Sequence, residues 1–541
     1  MCEVTRDNFD ELLPQIKNDI DKSIFVAVDA EFSGMVAKDL DYLPLTEDAA
    51  ARYRRVRENI QLFTLTQFGL STFVYDRSTN SFQAHSYNFY LFPSQCGNYD
   101  PRIMFQSSSV TFLQRLDFDF NKVIFEGIPF LNSEQEESLR RQKFKRSFQD
   151  IHEVKKRLQR LIRWLSEAIE GSTLELGPLD NVCHEIFKQE IKKKLPEAVV
   201  DSEIIIGRQI VTCLKAVPKA TSMVFDVSVS RGDTEHDEDL EMEEIDWTGL
   251  VDEALGFTKV FRHLCESKKP IVGHNLLHDL MFLYEKFHAP LPERYEDYKR
   301  EIHRILPSVY DTKLLYRELK KNLSRSLMVQ FSSLDELYYG LKSKSARFLA
   351  PKIGHADNFS RYNDTGCLHE AGYDAYVTGF VFLRFLHLCV VDGVRPSDRK
   401  SIKFSQYINL AQPHKNRIPL SRACMPYFNL EGPDPEPYPL VSIHVSLREG
   451  ADVGLLDQLP RLLAGYGFLD VEQLSPTTAK LVSASGARTS YMLEELKDHP
   501  SLILRAYRFY DHPSAKRAVK IFVGVALTVL GGIGCYCVCK K

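Results

Sequence analysis

Two acidic residues end an apolar run near the N-terminus. Asp29 and Glu31 follow the stretch from Ile24 to Val28 in the sequence FVAVDAEFSG. A buried, isolated carboxylate loses much hydration energy, so acids in such a strand need a partner. Residues two apart on a strand point to the same face, and both carboxylates can therefore converge on one point. A hard divalent cation such as Mg²⁺, which prefers oxygen ligands, would satisfy them.

Further acidic residues stand in two later segments. In PIVGHNLLHDLMFLY an apolar strand ends at Gly273 and leads into a helix that carries Asp279, and CLHEAGYDAYVTGFVF carries His369 and Asp374. Each segment alone has a plainer interpretation, because Asp279 can cap a helix and His369 can be a partly buried structural histidine. Together with the first two acids they are compatible with one two-metal site. Two ions about 4 Å apart can activate a water and stabilise the leaving oxygen of a phosphodiester.

The spacing of His369 and Asp374 predicts where the histidine lies. Five residues of a regular α-helix turn through about 500°, so these two side chains do not share one helix face. We therefore expect His369 in the loop before the helix that carries Asp374, where it can reach a water beside the cluster. An HD-type metallohydrolase built on His278 and Asp279 is a remote alternative, because further histidines at suitable places are lacking.

The elements that must position these residues alternate in type along the chain. Residues 1 to 133 and 248 to 397 mix strand-like runs with helical patterns, which predicts an α/β layer architecture. Residues 134 to 247 begin with basic stretches of helical period, interpreted as a solvated helical face or an RNA surface, and end in an acidic connector. Residues 398 to 436 are a proline-rich linker. Residues 437 to 511 have the β-α-β-β-α-β order of a ferredoxin-like or RNA-recognition-motif fold.

The C-terminal tail contains an uncharged segment of 19 residues, 521 to 539, close to the ~20 residues that cross a bilayer as a helix. Basic residues flank it on both sides. We predict a transmembrane tail anchor over residues 516 to 540, with a buried C-terminal core helix as the alternative. The moderately apolar, glycine-containing helix favours the mitochondrial outer membrane over the endoplasmic reticulum. Residues 1 to 20 lack the apolar region of a signal peptide, so we expect the catalytic part in the cytosol.

Composition narrows the class of protein. A chain of 541 residues exceeds what one hydrophobic core usually serves, which predicts two or more domains. The net charge of -4 excludes a global basic field, so any nucleic-acid site must be local. The 11 cysteines include no CxxC pair, which argues against a disulfide framework and a zinc ribbon.

In this order the acidic segments resemble the DEDD superfamily of 3′-to-5′ exonucleases, in the branch with a histidine in its third motif. A closer likeness is carried by VDAEFSGM, QFGLSTFVYD, SYNFYLFP, FQSSS, IVGHNLL, YDTKLL and LHEAGYDAYVTG, which resemble the poly(A)-specific ribonuclease family. This likeness runs from residue 1 to about 430 and continues more loosely to 510. The anchor favours the branch of that family that trims piRNA precursors.

The resemblance implies an RNase H-like mixed sheet flanked by helices and a role for each candidate residue. Asp29, Glu31, Asp279 and Asp374 would be the ligands of two Mg²⁺ ions. His369 would be the general base that takes a proton from the attacking water. The product of this chemistry is RNA shortened from its 3′ end.

Substrate and partners also follow from the resemblance. In that family the neighbours of the first motif contact the terminal nucleotides, so Phe32 and Ser33 are candidate substrate contacts. The implied substrate is single-stranded RNA with a free 3′ end. Implied partners are a PIWI-class Argonaute that holds the RNA, a Tudor-domain adaptor, and a second copy of the chain in a homodimer. His274, Asn275 and Asp311 are interpreted as scaffold.

The sequence departs from the family in two regions. The family's small RNA-binding insertion is named for an arginine and a histidine, but Asp180 stands at the arginine position before His184. In the C-terminal block, LVSIHVSL and TAKLVSAS lack the aromatic residues on which bases stack. Trp164 and Trp247 are the only tryptophans, and neither lies in that block. We therefore expect weak RNA binding and no cap preference there. A membrane-tethered mRNA deadenylase and an inactive RNA-tethering adaptor remain alternatives to the trimmer.

Overall fold

The structure is a computed structural model. It describes residues 3–36, 44–96, 99–141, 148–167, 173–180, 187, 191, 200–206, 209–215, 247–323, 333–342, 351–357, 359, 362, 369–392, 402–508, 511–512 and 514–515. The predicted tail anchor over residues 516 to 540 and His184 lie outside these residues.

The strands are, in chain order, β1 (Glu3–Val4), β2 (Phe25–Phe32), β3 (Leu65–Asp76), β4 (Ser81–Tyr90), β5 (Thr173–Asp180), β6 (Val200–Ile206), β7 (Gln209–Lys215), β8 (Ile271–Gly273), β9 (Val309–Asp311), β10 (Lys352–His355), β11 (Arg417–Pro419), β12 (Tyr427–Asn429), β13 (Val441–Leu447), β14 (Leu469–Ser475), β15 (Thr478–Ser483) and β16 (Leu502–Ala506). The α-helices are α1 (Phe9–Lys22), α2 (Ala49–Leu62), α3 (Ser107–Gln114), α4 (Phe120–Glu126), α5 (Ser133–Arg141), α6 (Phe148–Glu167), α7 (Trp247–Leu255), α8 (Thr258–Ser267), α9 (Leu277–Leu283), α10 (Tyr295–Ile305), α11 (Thr312–Leu319), α12 (Leu334–Leu341), α13 (Ala371–Asp392), α14 (Phe404–Ala411), α15 (Leu459–Leu462) and α16 (Gly486–Glu495). A π-helical turn, Tyr284–His288, extends α9.

A mixed sheet with the strand order β1-β4-β3-β2-β8-β9 forms the centre of the larger domain, and β10 also pairs with β4. β2, β3 and β4 are antiparallel, and β8 and β9 extend the sheet from β2 in parallel. The first nine residues of β3 are all buried, because helices cover both faces of the sheet. The predicted mixed α/β sheet with flanking helices is therefore confirmed.

Helix α13 lies directly on this sheet and carries Asp374. Gly69 of β3 permits the close approach, since a Cβ atom there would lie 1.8 Å from the carbonyl oxygen of Ala371. At Gly379 a Cβ atom would lie 2.1 Å from the ring of Phe73. Length and composition would allow α13 to cross a membrane, which is a weak indication, and 83% of its most apolar window is buried inside the protein. Here it serves as the core helix of the domain.

The insertion between the two parts of the larger domain contains more than the predicted basic helix. Helix α6 is followed by a three-stranded antiparallel sheet of order β5-β7-β6. Sequence reasoning described this region as helical and missed its strands, because the basic helix-period stretches dominate its pattern. Asp180 ends β5. The acidic connector falls within residues 216–246, outside the described part of the chain.

The proline-rich linker packs closely on the larger domain. It contains helix α14 and the antiparallel pair of β11 and β12, so it is more regular than the sequence predicts. Asn416 is fully buried, and its backbone N–H and side-chain oxygen bond the backbone of Val309 at 2.8 and 2.9 Å. The guanidinium of Arg52 in α2 donates to the carbonyl oxygen of Arg422 at 2.7 Å. These contacts join the linker to strand β9 and to helix α2 of the larger domain.

The C-terminal block has the predicted element order, β13-α15-β14-β15-α16-β16. Its four strands form an antiparallel sheet in the order β14-β15-β13-β16. Ile443, Val445, Leu481, Met492 and Leu502 form the centre of its own small core, which identifies the block as a separate domain.

The face of this sheet opposite its helices is partly covered by other parts of the chain. Asp470 of β14 accepts a hydrogen bond of 2.6 Å from the backbone N–H of Leu45 and one of 2.8 Å from Arg422. Beyond β16 the chain turns back, and the carboxylate of Asp511, 2% exposed, pairs with the guanidinium of Arg505. The sheet therefore faces the larger domain and its own C-terminal segment.

Candidate active site

Strand β2 presents the first two carboxylates at its carboxyl end. Asp29 pairs with Gly69 and Glu31 with Gln67 in the β2–β3 register, so both acids point to one face, as predicted. The register shifts between Glu31 and Phe32, where β2 pairs next with Leu65. Because of this irregularity, the side chains after Glu31 no longer follow the regular alternation between the two faces of the sheet.

A turn between β8 and α9 positions Asp279, and Asp311 holds that turn. β8 runs parallel to β2, which brings the start of α9 beside the first two acids. Asp311 is fully buried and accepts hydrogen bonds from the backbone N–H groups of Leu276 and Lys313 at 2.8 and 2.9 Å. These contacts support the interpretation of Asp311 as scaffold. Asp279 is 7% exposed in the first turn of α9.

Two further side-chain contacts stabilise the turn between β8 and α9. Nδ1 of His274 lies 2.9 Å from the hydroxyl of Thr312, which donates to the carbonyl oxygen of Gly273 at 3.0 Å. Asn275 has a positive φ of 66° and accepts a hydrogen bond of 3.3 Å from Lys313. Both His274 and Asn275 thus have partners within the scaffold, in agreement with the sequence analysis.

His369 lies immediately before α13, where the helix spacing predicts it. Its φ of 63° is in the left-handed region, and its backbone N–H donates to the carboxylate of Asp374 at 3.1 Å. Potential ligand atoms of Glu31, His369 and Asp374 all lie within 4.8 Å of one another. One imidazole and carboxylates from two distant segments therefore meet at one point.

Two buried side chains of the sheet cap the helix that carries Asp374. The side-chain oxygen of Gln67 accepts a hydrogen bond of 2.8 Å from the N–H of Ala371, and that of Asn88 accepts one of 3.0 Å from the N–H of Gly372. These groups satisfy two of the amides that every helix leaves unpaired at its start. Sequence reasoning did not identify Gln67 or Asn88, and no local pattern could have done so, because their partners are about 300 residues away.

The electrostatics of the four acids indicate uncompensated negative charge. Burial raises the pKa of Asp29 and Glu31 well above the usual range, and the charges of Asp374 and Asp279 raise the pKa of both further. Burial also raises the pKa of Asp279 to about 7 and, with Asp335, that of Asp374 to about 8. Asp29 and Glu31 are thus both within electrostatic reach of Asp279 and Asp374.

A divalent cation fits this donor set. In the described part of the chain no lysine or arginine forms an ion pair with any of the four carboxylates. Clustered carboxylate oxygens beside an imidazole are ligands for a hard divalent ion, whose charge would offset the burial and the mutual repulsion that raise their pKa values.

The two candidate substrate contacts differ in their surroundings. Phe32 is partly buried, and its ring stacks on that of Phe282 with 4.4 Å between centroids. Ser33 is 1% exposed, its hydroxyl donates to the carbonyl oxygen of Met104 at 2.7 Å, and it accepts from the N–H of Thr64 at 3.0 Å. The side chain of Ser33 is therefore bonded within the protein, whereas that of Phe32 is partly accessible, and a substrate contact by either residue stays a prediction. The strand irregularity after Glu31 turns this hydroxyl into the protein.

The alternative built on His278 has no support from the geometry. His278 is partly buried, and desolvation together with the charge of Arg52 lowers its pKa to about 4. Among the described residues it belongs to no group of three potential metal ligands. Sequence reasoning also missed Phe112, whose ring lies at 5.0 Å from that of His369.

Four clustered carboxylates and one imidazole on a mixed α/β sheet are the functional groups of a metal-dependent phosphodiester hydrolase. The model of the CAF1 family of ribonucleases matches residues 4–382. The chain belongs to this family and is a 3′-to-5′ exoribonuclease by class.

Three relatives are similar over most of the chain. Poly(A)-specific ribonuclease PNLDC1 of Homo sapiens is 30% identical over 502 residues, which cover 91% of this chain and 92% of that protein. The pre-piRNA 3′-exonuclease trimmer of Bombyx mori is 26% identical over 550 residues, covering 100% and 99%. Poly(A)-specific ribonuclease PARN of Homo sapiens is 28% identical over 547 residues, covering 94% and 80%.

Among solved structures, S. pombe Pop2p in its Mg²⁺- and Mn²⁺-bound form aligns with a TM-score of 0.34 and 13% identity. The alignment covers 73% of this chain and 96% of that one. This overall similarity is too low to carry an argument about the site.

Proposed function

We propose that this ribonuclease is a Mg²⁺-dependent enzyme that trims the 3′ ends of single-stranded RNA, with piRNA precursors as its substrates. The observation that carries the proposal is the cluster of Glu31, His369 and Asp374 with Asp29 and Asp279 in electrostatic reach. Full-length similarity to a pre-piRNA 3′-exonuclease trimmer supports the substrate.

The four carboxylates are assigned as the ligands of two Mg²⁺ ions. When bound, the ions would polarise the scissile phosphodiester and make the attacking water more acidic. Asp29 and Glu31 would hold them from the sheet, and Asp279 and Asp374 from the first turns of two helices. Placing the ligands on regular elements limits their movement during the reaction.

His369 is assigned as the general base. Its side chain lies beside Glu31 and Asp374, so it can take the proton of the attacking water at the edge of the cluster. The bond from its backbone N–H to Asp374 ties the position of the base to that of a metal ligand. Phe32 is assigned as a contact to the terminal nucleotides of the RNA, since its ring is partly accessible next to Glu31.

Poly(A) is the second candidate substrate, because PNLDC1 and PARN are both named poly(A)-specific ribonucleases. The purified chain is tested on a 3′-hydroxyl homopolymer and on a heteropolymer of equal length, each with Mg²⁺ or with EDTA. We expect stepwise shortening of both with Mg²⁺ and of neither with EDTA. A strong preference for the homopolymer, retained when an Argonaute holds the RNA, would favour the deadenylase. No Mg²⁺-dependent shortening, even with such a partner, would favour an inactive adaptor.

The cellular setting belongs to the same proposal. The apolar tail is assigned as an anchor in the mitochondrial outer membrane, which leaves the nuclease in the cytosol with a PIWI-class Argonaute and a Tudor-domain adaptor as partners. A homodimer through the nuclease domain is part of the proposal. Deletion of residues 516 to 541 should release active enzyme into the soluble fraction of a cell lysate, and an enzyme that stays on membranes would contradict the anchor.

A further inference from the structure

An exposed phenylalanine lies against the proposed base. Phe112, near the end of α3, is 49% exposed, and its ring meets the imidazole of His369 edge-on, with 5.0 Å between centroids and 80° between planes. Edge-to-face aromatic pairs are favourable beyond the area that they bury. A large apolar side chain at the protein surface therefore makes a specific contact with a catalytic group.

The segment that carries Phe112 is also joined to the strand that carries Glu31. The backbone N–H of Gln106 donates to the carbonyl oxygen of Ser33 at 2.8 Å, and the Ser33 hydroxyl donates to Met104 at 2.7 Å. The side-chain oxygen of Gln106 accepts hydrogen bonds from the N–H groups of Met35 and Val36 at 3.0 and 3.3 Å. Residues 104–112 thus span the distance between the metal-binding strand and the base.

No hydrogen bond from the described part of the chain reaches the imidazole of His369. Its backbone is held through Asp374, but the only hydrogen bond that it makes among the described residues uses its backbone N–H. A histidine usually owes its ring orientation to a hydrogen bond on the second nitrogen. Potential ligand atoms of Glu31 and Asp374 lie within 4.8 Å of the imidazole, and Asp335 lies within electrostatic reach of it, but none of these carboxylates forms a hydrogen bond with the ring among the described residues.

We propose that Phe112 is a positioning residue for His369: its ring holds the imidazole in the orientation that serves the attacking water. This inference rests on the proposed function, in which His369 is the base. The hydrogen bonds between residues 104–106 and the residues that follow the strand of Glu31 fix the position of Phe112 relative to the proposed metal ligands. The ring acts through His369 and takes no part in binding metal.

Kinetics of Phe112→Ala separate positioning from RNA stacking. We expect kcat to fall about tenfold, while KM and the Mg²⁺ concentration for half-maximal rate stay unchanged. Phe112→Tyr keeps the ring and should retain the wild-type kcat. Phe125→Ala removes another exposed phenylalanine, 69% exposed on α4, and serves as the matched control with unchanged kinetics. A rise in KM with kcat intact would overturn the inference and assign the ring to the RNA.

A double-mutant cycle tests whether Phe112 acts through His369. In a His369→Ala background, Phe112→Ala should cause no further loss. An equal loss in both backgrounds would contradict positioning. With carbon-13-labelled histidine, the His369 signal of the metal-free protein should shift in Phe112→Ala and stay in place in Phe125→Ala. Failure of the proposed function would look different, since either the wild-type chain would show no Mg²⁺-dependent shortening or His369→Ala itself would keep full activity.

Discussion

The side-chain oxygen of Gln67 accepts a hydrogen bond of 2.8 Å from the backbone N–H of Ala371, and in the sheet Gln67 lies directly opposite Glu31. One buried amide side chain therefore connects β3, the strand paired with that of the first motif, with the helix of the third. Because Asp374 lies in the first turn of that helix, the separation of two proposed metal ligands depends on this contact.

Replacing Gln67 with alanine should weaken both the fold and the site. The N–H of Ala371 would lose its partner in a buried position, which costs about 1–3 kcal/mol of unfolding free energy. Trimming should fall as well, since the start of α13 is no longer held against β3. Urea unfolding and a trimming assay measure the two effects. Gln83→Ala, at an exposed position of β4, should change neither, and an equal effect at both positions would contradict the prediction.

The metal-free protein should lose stability as the pH rises. Burial raises the pKa of Asp279 to about 7 and that of Asp374 to about 8, whereas an aspartate in the unfolded chain titrates near 3.9. From about pH 4 to about pH 8 the folded protein thus binds more protons than the unfolded chain, so the free energy of unfolding decreases through this window. Above about pH 8 the contribution of these two aspartates should be complete.

Thermal unfolding in EDTA across that pH range measures this dependence. Saturating Mg²⁺ should raise the midpoint most at the alkaline end, because the ions replace protons that are no longer bound there. A double substitution, Asp279→Asn with Asp374→Asn, should flatten the curve in EDTA. A midpoint that rises steadily from about pH 5 to about pH 8 in the metal-free wild type would contradict the assignment of raised pKa values.

Glu31→Gln should abolish trimming and stabilise the metal-free protein. The substitution keeps the shape of the side chain but removes a charge that Asp374 and Asp279 repel. We expect kcat to fall by more than about 1000-fold, because a metal ligand is lost, and Glu31→Ala should behave alike. The midpoint of thermal unfolding in EDTA at alkaline pH should rise. Glu58→Gln, on the exposed side of α2, is the matched control. Retained turnover in Glu31→Gln would require another ligand set.

The C-terminal sheet should contribute little to RNA binding. Its face is occupied by Asp470 with Leu45 and by the segment around Asp511, and Lys480 lies over the ring of Tyr507 at 5.2 Å. Lys480→Ala should therefore leave the affinity for single-stranded RNA unchanged in fluorescence anisotropy. Phe32→Ala should lower that affinity in the same assay. A loss of affinity in Lys480→Ala comparable to that in Phe32→Ala would show that the sheet does bind RNA.

Local patterns were sufficient for several features of this protein. The two-residue spacing of Asp29 and Glu31 on an apolar strand indicated a shared face, and the five-residue spacing of His369 and Asp374 indicated a histidine just before a helix. Both follow from the geometry of single elements, which neighbouring residues determine. The order of strands and helices in the C-terminal block was predictable for the same reason.

What the sequence by itself determined is thus the set of chemical groups and the elements that carry them. Only the tertiary structure decided that the Ser33 hydroxyl turns into the protein and that Gln67 caps a helix about 300 residues away. It also decided that the ring of Phe112 contacts His369 and that one face of the C-terminal sheet is partly covered. Strands β5, β6 and β7 of the insertion also escaped sequence reasoning. The physical reason is that periodicity reports which side of an element is apolar, whereas hydrogen bonds and ring contacts between distant segments depend on how the elements pack.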